Sequence, residues 1–315
     1  MAPDVSVIMP VWRPRRDWLR DAVSSVLGQT NCDLELIVVD DGNDEPIERL
    51  LRRAPFTVRT LRIAHGGVSA ARNAGMAEAR GRFLRFTDAD DVLEDNSTAR
   101  LLQLAGDDVI AYGATMFCDE ALRPLWKMES RLKGNVAEDT LLGRFFVRPP
   151  SMLFPRAVAE RAGPWDVGLR ISEDWDWVLR ALEHAEVRGE RAVATYYRRH
   201  ATGATSKIDI EEGQVVAQEV VRRWFERHPE QLSSARRRQA EAMLDAMAAR
   251  VYLTRGRPAA AIPKVVRSLL LDPRAVVHEL RSGLPAARAK LRQQRRAGHA
   301  SFLRDDVSGA EGRHD

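Results

Sequence analysis

The strongest constraint on the fold is a rhythm between Val5 and Asp91. Short apolar runs recur at Val5–Pro10, Leu34–Val39, Val58–Ile63 and Phe83–Phe86. Each is too short for a stable helix and rich in Val, Ile, Leu or Phe, as buried strands are. Between them, apolar residues fall at helical spacing over Asp17–Gln29, Pro46–Arg53 and Ser69–Ala79, the last entered through Gly66-Gly67. Strand–helix alternation at this spacing predicts βαβ units and a mostly parallel sheet. Ligands of such sheets sit beyond the carboxyl ends of the strands. Those ends carry Trp12, Asp40-Asp41-Gly42 and Asp88-Ala89-Asp90-Asp91.

The pattern weakens further on. Val109–Phe117, Ser151–Phe154 and Ala192–Arg198 read as strands, and Ala157–Gly163 and Glu173–Ala185 as helices. From Gln214 the reading is all helix: Val215–His228, Ser233–Thr254, Ala259–Leu271 and Val276–Arg296, punctuated by Pro229, Pro258, Pro273 and Pro285. Three segments are expected: a catalytic α/β unit over 1–213 (halves 1–100 and 101–213), a helical extension over 214–300 and a disordered tail over 301–315. No fixed-period repeat is present.

Composition excludes several classes. The chain has 315 residues, 44% hydrophobic and 30% charged, enough for a sizeable core and unlike a disordered chain. Cys32 and Cys118 form no CxxC and read as two reduced, buried thiols. No run reaches the roughly 18 apolar residues of a membrane span. The N-terminus lacks a basic stretch followed by an apolar one, so no signal peptide is expected. A cytoplasmic protein, soluble or peripheral at the inner face of a membrane, is the resulting expectation. The net charge of +4 hides an asymmetry: residues 215–315 hold 20 Lys+Arg and 11 Asp+Glu, net +9, and the other residues 29 and 34, net −5.

Four segments carry chemistry. Clustered carboxylates after a strand, as in Asp88–Asp91, suit a hard divalent cation shared with phosphate oxygens, though Asp is also common in turns and caps. Asp41 before Gly42 has the same ambiguity. The helix entered at Gly66-Gly67 offers backbone N–H groups to an anion, and Arg72 on it can add bidentate phosphate contacts. Ser172-Glu173-Asp174-Trp175-Asp176-Trp177 starts a helix with acids beside aromatics. Desolvation there raises a carboxyl pKa toward general-base work.

Taken in order, these segments resemble one family. VSVIMPVW (Val5–Trp12), SSVLGQT (Ser24–Thr30), ELIVVDDG (Glu35–Gly42), GGVSAARNAG (Gly66–Gly75), RFTDADD (Arg85–Asp91), EDWDW (Glu173–Trp177) and YYRRH (Tyr196–His200) are similar to motifs of the family 2 glycosyltransferases. The resemblance spans about residues 4–205. It implies the GT-A nucleotide-sugar-binding fold, Rossmann-like, with the basic helices as a C-terminal extension. It also implies inverting transfer of a sugar from a nucleotide-sugar, commonly UDP-linked, to a hydroxyl of a glycan or lipid-linked acceptor in cell-envelope polysaccharide synthesis. Pro10 and Trp12 would flank the nucleotide, Trp12 standing where the family usually has Tyr. Asp41 would meet the base and Arg72 the diphosphate. Asp88 and Asp90 would form the DxD motif and, with His200, hold Mn²⁺ or Mg²⁺. Asp174 would be the general base, with Glu173 sharing or orienting that role. Trp165, Trp175 and Trp177 are candidates for stacking on acceptor sugars, with core packing equally open for each. Ser206 and Lys207 lie in a loop able to close over the donor.

The basic helices admit three readings: a cap on the catalytic unit, attachment to an anionic membrane surface, or a surface for an oligomer or another partner. Nucleic acid is not expected, since Arg236-Arg237-Arg238 is a short run without a recognition motif. Two rival functions remain. One is a nucleotidyltransferase, which would want a glycine-rich loop where Pro10-Val11-Trp12-Arg13-Pro14 stands. The other is a glycosyltransferase-like scaffold without activity.

Overall fold

In the computed structural model, residues 2–51, 58–201, 203, 209–231 and 233–280 are described. The first strands follow the sequence rhythm: β1 (Val5–Val11), β2 (Leu34–Asp41), β3 (Arg59–Ile63) and β4 (Phe83–Phe86). They pair in parallel, with β1 between β2 and β4 and with β3 outside β2. Every residue of β1 is buried. Successive side chains of a strand point to opposite faces, so Val7 and Met9 enter one core and Ile8 another. Continuous burial is what helices on both faces of a sheet require.

Those helices are α1 (Arg16–Leu27), α2 (Ile47–Leu51) and α3 (Val68–Glu78). Helix α1 buries Trp18, Leu19, Ala22, Val23 and Val26, one apolar stripe. Helix α3 lies close on the sheet because of Gly75. A Cβ there would come within 2.4 Å of the Ile8 side chain.

The second half holds short or irregular elements that local pattern did not reveal. They are β5 (Val92–Leu93), α4 (Ser97–Leu104), β7 (Pro124–Met128) and α5 (Ala137–Leu141). With them come β6 (Val109–Cys118), β8 (Met152–Pro155), α6 (Arg156–Ala162), α7 (Glu173–Leu182) and β9 (Glu186–Arg198). The sheet runs β3-β2-β1-β4-β8-β6-β9-β5, and β7 pairs with β6. Strands β6 and β9 are parallel, while β8 joins β4 and β6 antiparallel. Strand β9 begins six residues ahead of the expected Ala192, because its polar first half is held by β6 rather than by its own hydrophobicity.

Arg85 of β4 is fully buried and has only neutral partners. It donates to the carbonyls of Pro150 and Ala194 and to the hydroxyls of Ser97 and Thr98, tying β4 to α4 and β9. Cys118 is buried, and burial pushes its thiol up to about 11; Cys32 is only half-buried.

The extension comprises α8 (Ile210–Arg227), α9 (Ser234–Thr254) and α10 (Pro258–Leu271), and residues 273–280 are also helical. Asp209 caps α8 by accepting from the Glu212 amide, and Ser233 caps α9 through the Arg236 amide. Proline opens α10, where its missing N–H costs nothing. Leu141, Leu142 and Leu179 of the catalytic unit share a core with Trp224, Phe225 and Met243 of the extension. The extension therefore does cap that unit. Among the described residues, no helix is long and apolar enough to cross a membrane. The expected helix beyond Leu280 and the 301–315 tail lie outside the described residues.

Candidate active site

The site assembles at the carboxyl ends of β1, β2 and β4, closed by α7 and the end of β9. At the end of β1, Trp12 is 49% exposed and stacks on His65, with ring centroids 4.6 Å apart. The Arg13 guanidinium lies 4.8 Å from the Trp12 ring centroid. Pro10 is buried within the strand. An exposed, pre-positioned indole at a strand end can receive a nucleobase.

The two acids ending β2 have separate tasks. Asp40 accepts from the Asn43 amide at 2.9 Å and the Ile47 amide at 3.1 Å, and pairs with Arg62 at 3.0 Å. It thereby fixes the start of α2. Asp41 accepts from the Gly66 amide at 2.8 Å and the Gly67 amide at 3.0 Å, and its carboxylate lies 2.9 Å from His65 Nδ1. It thus fastens the loop that enters α3. Gly67 takes φ +87° there, a conformation that L side chains rarely adopt.

Arg72 on α3 is the hub. Its side chain is buried, and it donates to Asp88 at 3.1 Å and to Glu173 at 3.3 Å. Its guanidinium also lies 4.4 Å from the Trp165 ring centroid. Residues far apart in sequence thus meet around one cation. Asn73 holds Trp165 in place through two backbone hydrogen bonds, 2.9 and 2.7 Å.

Glu173 and Asp174 open α7. Burial first, then the neighbouring Asp174 charge, raises the Glu173 carboxyl to about 7, with Arg72 pulling the other way. Asp174 accepts from the Trp175 amide at 2.9 Å. It lines a small apolar recess with Thr140, Phe145, Trp175 and Val178. Glu173 is therefore engaged with Arg72, while Asp174 is one of the residues around the recess, which at about 10 Å³ has room for a single water.

Asp90 lies 2.8 Å from His200 Nε2, and His200 packs edge-on against Trp18. Asp91 is fully buried; it accepts from the Arg198 amide at 3.0 Å through one oxygen, while the other has no partner. Burial, then the charges of Asp90 and Asp88, pushes its carboxyl well above the usual range. For a divalent cation, Asp90 and His200 supply a carboxylate and an imidazole side by side, donor types that Mn²⁺ or Mg²⁺ accepts. The residues fit as a partial ligand set that substrate phosphates would complete. Among the described residues, no group of three such side chains is already assembled.

The three tryptophans divide. Trp165 and Trp177 are 1% and 0% exposed and stack on each other at 4.5 Å, against Phe86. Both rings are spent on the core, with no face open to a sugar, contrary to the acceptor-stacking expectation. Trp175 alone keeps partial exposure beside Asp174. Ser206 and Lys207 fall outside the described residues.

Sequence reasoning missed Arg148. It lies against the Tyr197 ring at 4.1 Å, and its Nε has no partner. Burial works against its charge, yet Tyr197, Asp174, Asp91 and Asp88 around it outweigh that and raise its pKa. A single arginine in a weak stretch before Pro149-Pro150 carries no local signal of this role. Arg198 stands inside the YYRRH segment, Tyr196–His200. It is buried, donates to the Asp90 carbonyl at 2.9 Å and pairs with Asp21 at 3.1 Å, holding the acidic turn in shape.

A mixed α/β sheet with helices on both faces, and with acids, an arginine and an exposed aromatic converging at its strand ends, is a fold of the GT-A class. Residues 6–161 match the model of glycosyl transferase family 2. Over those residues the chain belongs to that family. An uncharacterized glycosyltransferase of Rickettsia prowazekii is 25% identical over 213 residues, covering 65% of this chain and 67% of the relative. The uncharacterized glycosyltransferase EpsJ of Bacillus subtilis is 30% identical over 203 residues, covering 59% of this chain and 58% of EpsJ. The alignments thus span roughly three-fifths to two-thirds of these relatives. The fold is similar to that of S. aureus TarS 1–349, solved with UDP-GlcNAc, at TM-score 0.54 and 13% identity, covering 84% of this chain and 90% of that one.

Proposed function

We propose that this chain transfers a sugar from a UDP-linked donor to a hydroxyl of a glycan or lipid-linked acceptor, with inversion at the anomeric carbon. The observation that carries the reading is the meeting of Asp88, Arg72 and Glu173, with Asp174 next to Glu173 at the edge of the recess. The similarity to a structure solved with UDP-GlcNAc supports a uridine donor. A role in cell-envelope polysaccharide synthesis is the setting proposed for it.

In the proposed step, Asp174 takes the proton of the acceptor hydroxyl. The freed oxygen pair forms the new bond to the anomeric carbon. The bond from that carbon to the diphosphate breaks, and its electron pair leaves on the nucleoside diphosphate. A single displacement of this kind inverts the carbon. Trp12 receives the base, while Asp41 keeps the neighbouring loop in place from beneath. In this reading Arg72 faces the leaving diphosphate, where its cation would stabilise the transition state more than the ground state. Glu173 and Asp88 hold Arg72 in that position. Asp90 and His200 would hold Mn²⁺ or Mg²⁺, which when bound neutralises charge on the departing phosphates.

Asp174→Asn tests the assignment. Loss of a general base costs on the order of 10²–10⁴ in rate. Turnover is expected to fall by that factor while UDP still raises the thermal midpoint of the variant. Near-normal transfer by Asp174→Asn would remove the base assignment.

A further inference from the structure

The described C-terminal helices carry apolar side chains that no other described residue covers. Ile262, Val266, Leu269 and Leu270 of α10, then Val277 and Leu280 of the 273–280 helix, are all exposed, Leu270 at 82%. On α10 the steps of four, three and one residues put them on one side of the helix. The other side is packed. Ala261 and Ser268 are buried, and the Ser268 hydroxyl donates to the Ala242 carbonyl of α9 at 2.7 Å. The 273–280 helix is tied in as well: Glu279 pairs with Arg250 at 2.6 Å, and a His278 ring nitrogen lies 2.7 Å from the Gly143 carbonyl oxygen. The stripe is therefore the outward face of helices fixed to the catalytic unit, and not a loose end.

Charge decides what fits it. Lys264 and Arg267 of α10 are engaged with Asp245 on the packed flank, at 3.3 and 3.1 Å. Arg255 and Arg274 remain exposed at the two ends of α10. Immediately after Leu280 the sequence brings Arg281, Arg288, Lys290, Arg292, Arg295 and Arg296, with no acid before Asp305. Two copies joined stripe to stripe would bring the exposed Arg255 and Arg274 of each copy toward those of the other, which opposes association. An anionic lipid surface satisfies both features at once: apolar side chains enter the headgroup–acyl boundary and the cations meet lipid phosphates.

We propose that the outward face of α10 and the 273–280 helix docks the protein on an anionic bilayer. The inference stands apart from the transfer chemistry and uses none of its residues. The test is co-sedimentation of the full chain with phosphatidylcholine vesicles containing about one-third phosphatidylglycerol, and with pure phosphatidylcholine vesicles, at low and high salt. Binding is expected with the anionic vesicles only, weakening at high salt as surface charge is screened. The double variant Val266→Glu with Leu270→Glu should bind about tenfold less at low salt, with unchanged thermal midpoint and UDP release. If that variant is less stable, Leu270→Gln at the most exposed position serves in its place. Absence of binding to anionic vesicles at low salt overturns the proposal. So does equal binding by the stripe variant, which would assign attachment to the basic segment alone. A wild-type dimer that the variant turns to monomer, with vesicle binding unchanged, overturns it in favour of a second copy.

Discussion

Glu173→Gln makes the buried acid at the start of α7 measurable. The Glu173 side chain is 15% exposed, and its carboxyl is raised from 4.5 to about 7. At 1.36 kcal/mol per pKa unit, that displacement is about 3 kcal/mol of folding free energy. Its sign follows from proton binding. Between pH 4.5 and about 7 the folded chain holds this proton more tightly than the unfolded chain does. The contribution is therefore full below pH 4.5 and is lost as pH rises through about 7. The variant has no proton to lose at this position. Urea unfolding of both proteins from pH 5 to pH 8 should show two stability curves that diverge. The variant should gain on the wild type by about 2–3 kcal/mol over the range, with unchanged urea slopes. Titrating groups common to both proteins cancel in the difference. Curves that stay parallel would refute the buried, proton-holding Glu173 and with it the division of labour between Glu173 and Asp174.

Asp41→Ala removes the buried carboxylate that accepts from the Gly66 and Gly67 amides; a hydrogen bond to a charged group is worth about 1.5–3 kcal/mol net, so urea unfolding should show a loss of that order. Chelation with EDTA should suppress transfer by the wild type and added Mn²⁺ should restore it, whereas Asp90→Ala should not recover with Mn²⁺; equal rates with and without chelator would remove the cation from the reading. Trp12→Ala takes away an exposed ring already stacked on His65, and calorimetric UDP affinity should fall about two- to tenfold, the weight of one aromatic contact of about 0.5–1.5 kcal/mol.

Much was legible in the sequence because it is local. The four parallel strands, the helices between them and the polar residues at their ends were visible as runs and spacings. So were the prolines between the last helices, though the first of these helices begins at Ile210, five residues ahead of the expected Val215. The acids Asp41, Asp88, Asp90, Glu173 and Asp174 stood out because carboxylates at strand ends and helix starts need a reason to be there. Strand β5 has two residues and β7 begins at a proline, so neither carries a periodic signal. They exist because β9 and β6 offer them backbone partners.

Contacts across long sequence distances were decided only by the tertiary structure. Arg72 meets Glu173 across 101 positions, and Asp90 meets His200 across 110. Neither pairing has a local pattern, since it depends on how the sheet brings α3, the acidic turn and β9 to one end. The same packing sent Trp165 and Trp177 inward while leaving Trp175 at the recess. Residue type alone could not sort three tryptophans, because burial is a property of neighbours. Arg148 shows the limit most plainly. The sequence by itself determined the class of fold and the acids at its strand ends; folding chose which cation stands among them, because electrostatic partners are set by distance in space.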